Sequence, residues 1–433
     1  MNPMPKVSVI LPSLNVVSYI RQCIESVISQ SLKDIEIICV DSGSTDGTLE
    51  ILREFEARDK RVKVLIAEKK SYGLQMNMGI DAAKGEYVGI VETDDWVPSQ
   101  MYAQLYKLAK KNDLDFIKAD FYRFTVNEDG TLNKDYNKLS SDDAYYGRVL
   151  TPGEEPETFK FIMNTWSGIY RTDFLRRWNI RHNETPGASY QDNGFWFQTF
   201  MRAERAYFLN KPLYMNRRDN PNSSVFSKTK VYAMRDEYDF IRSIIDSDIE
   251  LKKFIPLCNY FRFCGYYYNT VNRILPELRS GFLNEFSKEF HALAENNELD
   301  RSLFSSGEWS DLMQIIFLPE VYLQKSLRLA SPFSFRETYR EYRPAEQGDP
   351  DVSVIIPVYN SQAYLRECLD TVCAQSHVGI EIICVNDGST DSSREILSEY
   401  SVKDARIRVI DQVNGGLSRA RNAGLEAARG KYV

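Results

Sequence analysis

The chain has 433 residues, 43% of them apolar and 27% charged, and a net charge of −7. That length exceeds what one hydrophobic core serves, so two or three domains of about 100–200 residues are expected, with the composition of a folded globular protein. The acidic balance and the lack of a long Lys/Arg run exclude nucleic acid as a partner.

The opening MNPMPKVSVILPSLN has one lysine and a strand-length apolar run that meets a proline, too short for a secretory signal. The run VSVILP, and IEIICV at Ile35 to Val40, are short, apolar and rich in β-branched residues, as strands buried on both faces of a parallel sheet are. Between them, Tyr19 to Gln30 spaces Ile20, Cys23, Ile24, Val27 and Ile28 three and four apart, which predicts an amphipathic helix. GSTDG follows the second strand, and Ser44, Thr45 or Asp46 can cap a helix running through TLEILREFEAR. The order βαβαβ predicts an α/β, doubly wound sheet whose ligand lies outside the carboxyl ends of the strands.

From about Lys228 to Tyr342 the pattern turns to helix-favouring, aromatic-rich segments such as FRFCGYYYNTVNRIL, without strand–turn alternation. Core packing is the expected role of Tyr266, Tyr267 and Tyr268, ahead of sugar stacking. The apolar stretch Leu312 to Leu323 falls short of the roughly 18–20 residues that span a bilayer, so no transmembrane segment is expected and membrane contact would be peripheral. RPAEQGDPD, from Arg343 to Asp351, has the Pro, Gly and charge of a linker. Seven cysteines without close CxxC spacing, most of them in apolar runs, read as buried thiols of a cytoplasmic protein, with the inner face of the membrane as the place of any peripheral contact.

The chain then repeats itself. KVSVILPSLN at Lys6 to Asn15 recurs as DVSVIIPVYN at Asp351 to Asn360, IEIICV and GSTD recur in register, and AAKGEYV ending at Val88 answers AARGKYV ending at Val433. The match runs without a gap over about 80 residues. This is a duplicated domain, since solenoid repeats have periods of roughly 20–50 residues.

Three constellations could carry chemistry. Asp41, with SGSTD after it, stands at the end of a buried strand, where its carboxylate either accepts from a nucleobase or ribose or caps the next helix. Glu92, Thr93, Asp94 and Asp95 place three acids in four residues after the strand YVGIV; a hard divalent ion, Mg²⁺ or Mn²⁺, would offset their repulsion, and a solvated capping turn is the other reading. Asp192 heads the aromatic run QDNGFWFQTF, where an acid can serve as a general base or as a helix cap.

Together these residues resemble family 2 of the glycosyltransferases, which have the GT-A fold. The resemblance rests on Pro12 and Asn15 in the opening strand, CVDSGSTDGT, Asn77 and Gly79 before AAKGEYV, the ETDD run and QDNGFWF; it covers Val7 to about Val225 and restarts at Val352. It implies a GT-A domain over 1–227, a helical domain or connector over 228–342, a linker over 343–350 and the amino-terminal part of a second GT-A domain over 351–433. It also implies inverting transfer from a nucleoside-diphosphate sugar, usually a UDP sugar, to a saccharide or glycoconjugate hydroxyl, as in bacterial surface polysaccharide synthesis.

On this resemblance Pro12, Asn15, Asp41, Ser42, Asn77, Glu92, Asp94, Arg217 and Arg218 lie on the donor side, and Asp94 with Asp95 holds the metal. Asp192 takes the acceptor proton, and Trp166 offers the acceptor an aromatic face or packs in the core. The chain departs from the family pattern at Ser42, Glu92 and Gln191, where acids, Asp and Glu respectively, are common. These departures keep a non-catalytic nucleotide-sugar-binding or scaffolding module as the alternative. A dinucleotide-dependent oxidoreductase would want GxGxxG after the first strand, where this chain has LPSLN. The second copy stops before its own metal and base motifs, which reads as a fragment of a longer tandem enzyme.

Overall fold

The computed structural model describes residues 4–127, 129–223, 230–268, 274–319, 321–323, 350–375, 377 and 379–433. Residues 343–349 of the expected linker, and the expected boundary at 227/228, lie outside the described residues. The chain forms two compact units, Met1–Ala330 and Ser331–Val433.

In the first unit β1 (Val7–Ser13) is buried at every position, with β2 (Ile35–Asp41) on one side and β4 (Tyr87–Ile90) on the other, both parallel to it. β3 (Val62–Ile66) continues the parallel run beyond β2. The chain winds outward to β3 and returns to the opposite flank of β1, which opens a crevice at the carboxyl ends of β1 and β4. Past β4 the sheet becomes mixed: β8 (Gly168–Arg171) pairs antiparallel with both β4 and β5 (Phe116–Val126), and β9 (Ala206–Arg217) runs parallel to β5. β6 (Leu132–Asn137) pairs with β5 and β7 (Val149–Leu150) with β9, completing a nine-stranded sheet among the described residues.

The helices of this unit are α1 (Ile20–Ile28), α2 (Thr48–Arg58), α3 (Tyr72–Ala82), α4 (Met101–Lys111), α5 (Thr172–Arg177), α6 (Gln191–Arg202), α7 (Ala233–Asp246), α8 (Ile255–Tyr268), α9 (Pro276–Glu295) and α10 (Ser306–Phe317). On α1 the buried residues are Ile20, Cys23, Ile24 and Val27, the apolar stripe read from the sequence. α6 is buried along almost its whole length, because the sheet lies on one side of it and α7 and α8 on the other; Phe200 stacks on Phe116 of β5, while Phe197 meets Tyr238 and Phe261. Helices α7 to α10 share one hydrophobic core with the sheet. Tyr266 is buried in that core, Tyr267 partly so, and Tyr268 is exposed. No described helix is long and apolar enough to cross a membrane.

The second unit has a parallel sheet of β10 (Val352–Val358), β11 (Ile380–Asp387) and β12 (Ile407–Gln412), in that order, with α11 (Gln362–Cys373), α12 (Ser393–Lys403) and α13 (Leu417–Ala427). Of the seven free cysteines four are buried, but Cys368 lies on the exposed side of α11, whose buried face is made by Leu365 and Leu369.

The duplication extends to hydrogen bonds. Asn15 and Asn360 both adopt the left-handed region, at φ 54° and 47°. Each uses Oδ1 to accept from the threonine N–H of its GSTD turn, Thr45 at 2.9 Å and Thr390 at 2.7 Å, so the loop after the first strand is clamped to the loop after the second. Asparagine suits this place because it tolerates positive φ and carries an acceptor. Gly79 of α3 lies against β1: a Cβ there would fall 2.5 Å from Ile10 Cγ2, and Gly424 repeats the approach to Ile355. Gly79→Ala should therefore lower unfolding stability by about 1–3 kcal/mol through overpacking, read as a reduced urea midpoint with an unchanged m-value.

Candidate functional site

The carboxyl edge of β4 delivers Glu92, Thr93, Asp94 and Asp95 into the crevice. The Thr93 hydroxyl donates to the Pro12 carbonyl at 2.7 Å, which ties this turn to the end of β1. Asp95 is 1% exposed and its carboxylate is fully engaged: Tyr214 Oη donates at 2.8 Å, Asn216 Nδ2 at 3.1 Å and the Arg217 backbone N–H at 2.6 Å. Asp94 is half-buried and accepts one side-chain hydrogen bond, from Asn220 Nδ2 at 2.8 Å. Glu92 accepts from the Tyr72 hydroxyl at 2.7 Å. Burial pushes the Glu92 carboxyl up to about 8; the Tyr72 hydrogen bond opposes the rise and the Asp94 and Asp192 carboxylates add to it. The two aspartates, far apart in sequence, thus converge electrostatically on one glutamate.

At the end of β2, Asp41 is buried and turns back on its own loop. Its Oδ1 accepts from the N–H groups of Gly43 and Ser44, both at 2.9 Å, and its Oδ2 from the Ser44 hydroxyl at 2.5 Å. The Ser42 hydroxyl beside it is buried without a hydrogen-bond partner among the described residues. The second unit makes the opposite arrangement. Asp387, the counterpart of Ser42, accepts from Gln412 Nε2 at 2.6 Å and from the N–H groups of Gly415 and Gly416, both at 2.8 Å. In the first unit those glycines are replaced by Lys70 and Ser71, and the exposed Lys69 and Lys70 have no such carboxylate to meet.

Asp192 lies in the first turn of α6, preceded by Tyr190 in the left-handed region at φ 65°. Gln191 explains its own departure from an acid: Nε2 donates to Thr185 Oγ1 at 2.9 Å and to the Gly187 carbonyl at 3.1 Å, which a carboxylate could not do. Burial raises the Asp192 carboxyl, while the N–H groups of residues 192 and 193 and the Lys118 ammonium hold it down. Gly194 follows because Glu237 of α7 approaches so closely that a Cβ would collide with its carboxylate, which accepts the Gly194 N–H at 2.8 Å. Burial pushes the Glu237 carboxyl up to about 8, with the Gly194 N–H and the Asn183 amide opposing and Asp192 adding to it.

The remaining expected residues divide by what they touch. Asn77 is 6% exposed and its amide is spent within the protein: Nδ2 donates to the His182 carbonyl and to Glu184, and Oδ1 accepts the His182 N–H, each at 2.9 Å. Trp166 stacks on Tyr214 at 4.3 Å and meets Phe121 edge-on at 4.8 Å. Arg217 is 7% exposed at its side chain, sandwiched between Tyr19 and Phe124, and donates to the Asp94 carbonyl, Asp219 and Gln22. Arg218 is exposed beside Arg123, with no ion pair among the described residues. Tyr72, Tyr214, Lys118 and Glu237 were not singled out from the sequence, where they look like ordinary members of amphipathic segments; only the run of polar residues inside apolar strands hints at Lys118.

Among the described residues no three His, Cys, Asp or Glu side chains form a ready-made metal cage. The donor set nevertheless fits a magnesium-type ion, which takes one or two carboxylates and fills its shell with water and phosphate oxygens. Asp94, with spare acceptor capacity at the crevice, could supply such a carboxylate, whereas the oxygens of Asp95 are occupied by β9.

The chain matches the profile of Glycosyl transferase family 2 over residues 8–190 and 353–433. It belongs to that family, and both halves of the duplication carry the family's sequence. It is 35% identical over 232 residues to the uncharacterized glycosyltransferase EpsJ of Bacillus subtilis, an alignment covering 51% of this chain and 62% of EpsJ. To glycosyltransferase GlyG of Streptococcus pneumoniae it is 31% identical over 226 residues, covering 49% of this chain and 70% of GlyG. An uncharacterized glycosyltransferase of Rickettsia bellii aligns with 99% of this chain at 25% identity, and the alignment spans 52% of that relative. The chain therefore spans about half to two thirds of the length of these curated relatives. Among solved structures, S. aureus TarS residues 1–349 in complex with UDP-GlcNAc superposes with a TM-score of 0.56 at 19% identity, over 79% of this chain and 95% of that one. The likeness shows the GT-A fold.

Asn77→Ala should cost about 1–3 kcal/mol of stability, because it leaves the His182 backbone and Glu184 without partners, while nucleotide affinity stays within twofold; chemical unfolding and a UDP titration read the two separately. Glu237 yields a pH dependence. Its folded value, about 8, lies above the unfolded 4.5, so the folded state holds the extra proton between them. Stability is full below about pH 4.5 and declines as pH rises toward 8. Glu237→Gln should remove that decline, worth on the order of 3 kcal/mol, in unfolding curves taken from pH 4.5 to 8.

Proposed function

We propose that the first unit transfers a sugar from a nucleoside-diphosphate sugar, a UDP sugar, to a hydroxyl of a saccharide or glycoconjugate, inverting the anomeric centre. The observation that carries this reading is the delivery of Glu92, Asp94 and Asp95 to the crevice at the carboxyl end of the parallel strands, with Asp95 spent on β9 and Asp94 left with acceptor capacity. Family membership supports the reaction type, and the TarS complex with UDP-GlcNAc supports a uridine donor on this fold. The relatives are bacterial, in keeping with synthesis of a surface polysaccharide or glycoconjugate on the cytoplasmic side.

In this mechanism the Asp192 carboxylate accepts the proton of the acceptor hydroxyl as that oxygen attacks the anomeric carbon. The bond from that carbon to the diphosphate breaks on the opposite face, and its electron pair leaves with the nucleotide. Asp192 suits the role: its carboxyl is half-buried at the head of α6 and raised toward neutrality. Trp166, stacked on Tyr214, is assigned to the acceptor side, and Ser42, whose hydroxyl has no partner among the described residues, to the donor side. Arg218 adds positive charge near the departing diphosphate. A divalent cation on Asp94 would supply charge neutralisation for that diphosphate. In the second unit Asn386 and Asp387 stand where the first has Asp41 and Ser42, and the transfer proposed here is assigned to Asp94 and Asp192 of the first unit.

Purified protein with Mn²⁺ should bind UDP and hydrolyse or transfer a UDP sugar. Asp192→Asn should lower turnover about 10²–10⁴-fold with UDP binding retained. Asp94→Ala should abolish the response of activity to Mn²⁺ after chelation. If UDP binds but no UDP sugar is consumed, the chain is a non-catalytic binding module; if UDP causes no thermal shift either, the transfer reading from a UDP sugar fails.

A further inference from the structure

Lys118, the third residue of β5, is 0% exposed, among the least accessible places for a cation. Its Nζ donates to the Asn164 carbonyl at 2.8 Å, to Asn164 Oδ1 at 2.9 Å and to Tyr170 Oη at 3.1 Å. None of the three can donate back. The Tyr170 proton is committed to the Thr165 carbonyl at 2.9 Å, and the Asn164 amide is oriented by donating Nδ2 to Ile162 O while Oδ1 also accepts from Ser167 N. Burial pushes the Lys118 ammonium well below the usual lysine range and the Asp192 charge opposes that fall; the geometry sides with the charged form, because three acceptors on one nitrogen match an ammonium, which has three N–H groups, and not an amine, which has two. No carboxylate forms an ion pair with Lys118 among the described residues, so this charge is solvated by neutral groups.

What lies above it is α6. Phe200 stacks on Phe116 at 5.1 Å, and one helical turn earlier the Trp196 ring lies 5.3 Å from Lys118 Nζ. The next residue on that face, one turn nearer the amino end, is Asp192. Helix and strand thus march in step, and the carboxyl at the head of the helix is the closing member of a row that includes the buried cation. Four groups act on Asp192 or feel its charge: Lys118 from β5, Glu92 after β4, Tyr72 from α3 and Glu237 from α7. Only Lys118 is positive.

We propose that Lys118 is a positioning residue for Asp192, a buried ammonium that keeps the carboxyl at the head of α6 in its anionic, proton-accepting form against Glu92 and Glu237. The inference rests on the role assigned to Asp192 above, but the pairing itself is measurable without any turnover. Charges on neighbouring groups couple, so their deletions are not additive.

Lys118→Met, Asp192→Asn and the double variant, as full-length chains, should show melting temperatures in which the double loses clearly less than the sum of the singles; additive losses would overturn the pairing. With UDP-GlcNAc and Mn²⁺ as the probe, the acidic limb of the kcat/KM profile of Lys118→Met should move up by about one pH unit, so that activity on that limb drops about tenfold. An unmoved limb in a folded, UDP-binding variant would equally overturn the proposal. Should Lys118→Met fail to fold, the isosteric Asn164→Asp puts a competing carboxylate on the ammonium and must shift the limb in the same direction; no shift counts against the proposal. If the wild type consumes no UDP-GlcNAc at any pH, the transfer reading loses that donor, and the melting cycle still decides the pairing.

Discussion

The Asp95 carboxylate joins the turn after β4 to Tyr214, Asn216 and Arg217 of β9, a strand three places away in the sheet. Three donors converge on it, and a buried acid without them would be intolerable. The backbone of Trp96 bridges Met215 in both directions directly alongside. Once this join is made, Asp94 is directed outward to Asn220, Tyr214 is set where Trp166 can stack on it, and Arg217 is drawn into its aromatic sandwich. The acidic run therefore divides its labour: one acid holds the architecture so that its neighbours remain available at the crevice.

The portion of the molecule that was legible in advance is the portion governed by local pattern. β1, α1, β2 and α2 follow from apolar runs, helical spacing and turn residues, and the duplication doubles the signal. The mixed half of the sheet was not legible in the same way. β8 is four residues long and owes its place to antiparallel pairing with β4 and β5, which nothing in GIYR announces. The site shows the same division. Motif spacing located Asp94 and Asp192, whereas the roles of Asn15 and Asn77 depend on partners distant in the chain. Asn15 braces two loops and Asn77 anchors α3 to the segment around His182. A polar residue within a motif reads as a ligand contact until its hydrogen bonds are traced.

The two copies of the duplicated half-sheet show what the fold itself demands. The asparagine brace, the tight glycine on the first strand and a serine–glutamate pair linking the first two strands occur in both, as Ser8 with Glu36 and Ser353 with Glu381. Among the differences between the copies is the turn after the second strand. One copy has a buried hydroxyl beside lysines, and the other an aspartate clasping two glycine N–H groups. Shared bonds belong to the scaffold; the divergent turn is where ligand preference can be written.

Glu237 has a consequence for how the chain can be divided. It originates in α7, yet its carboxyl fills the gap left by the missing side chain of Gly194, two residues after Asp192. Tyr238 and Phe261 cover the outer face of the same helix through Phe197. The helices after β9 are thus part of the packing of α6 and not an appendage. A fragment cut where the sheet ends would strip the cover from Phe197 and leave the Gly194 N–H without its acceptor, and a chimera that grafts another family member's helices onto this sheet must bring a matching acid to the same glycine.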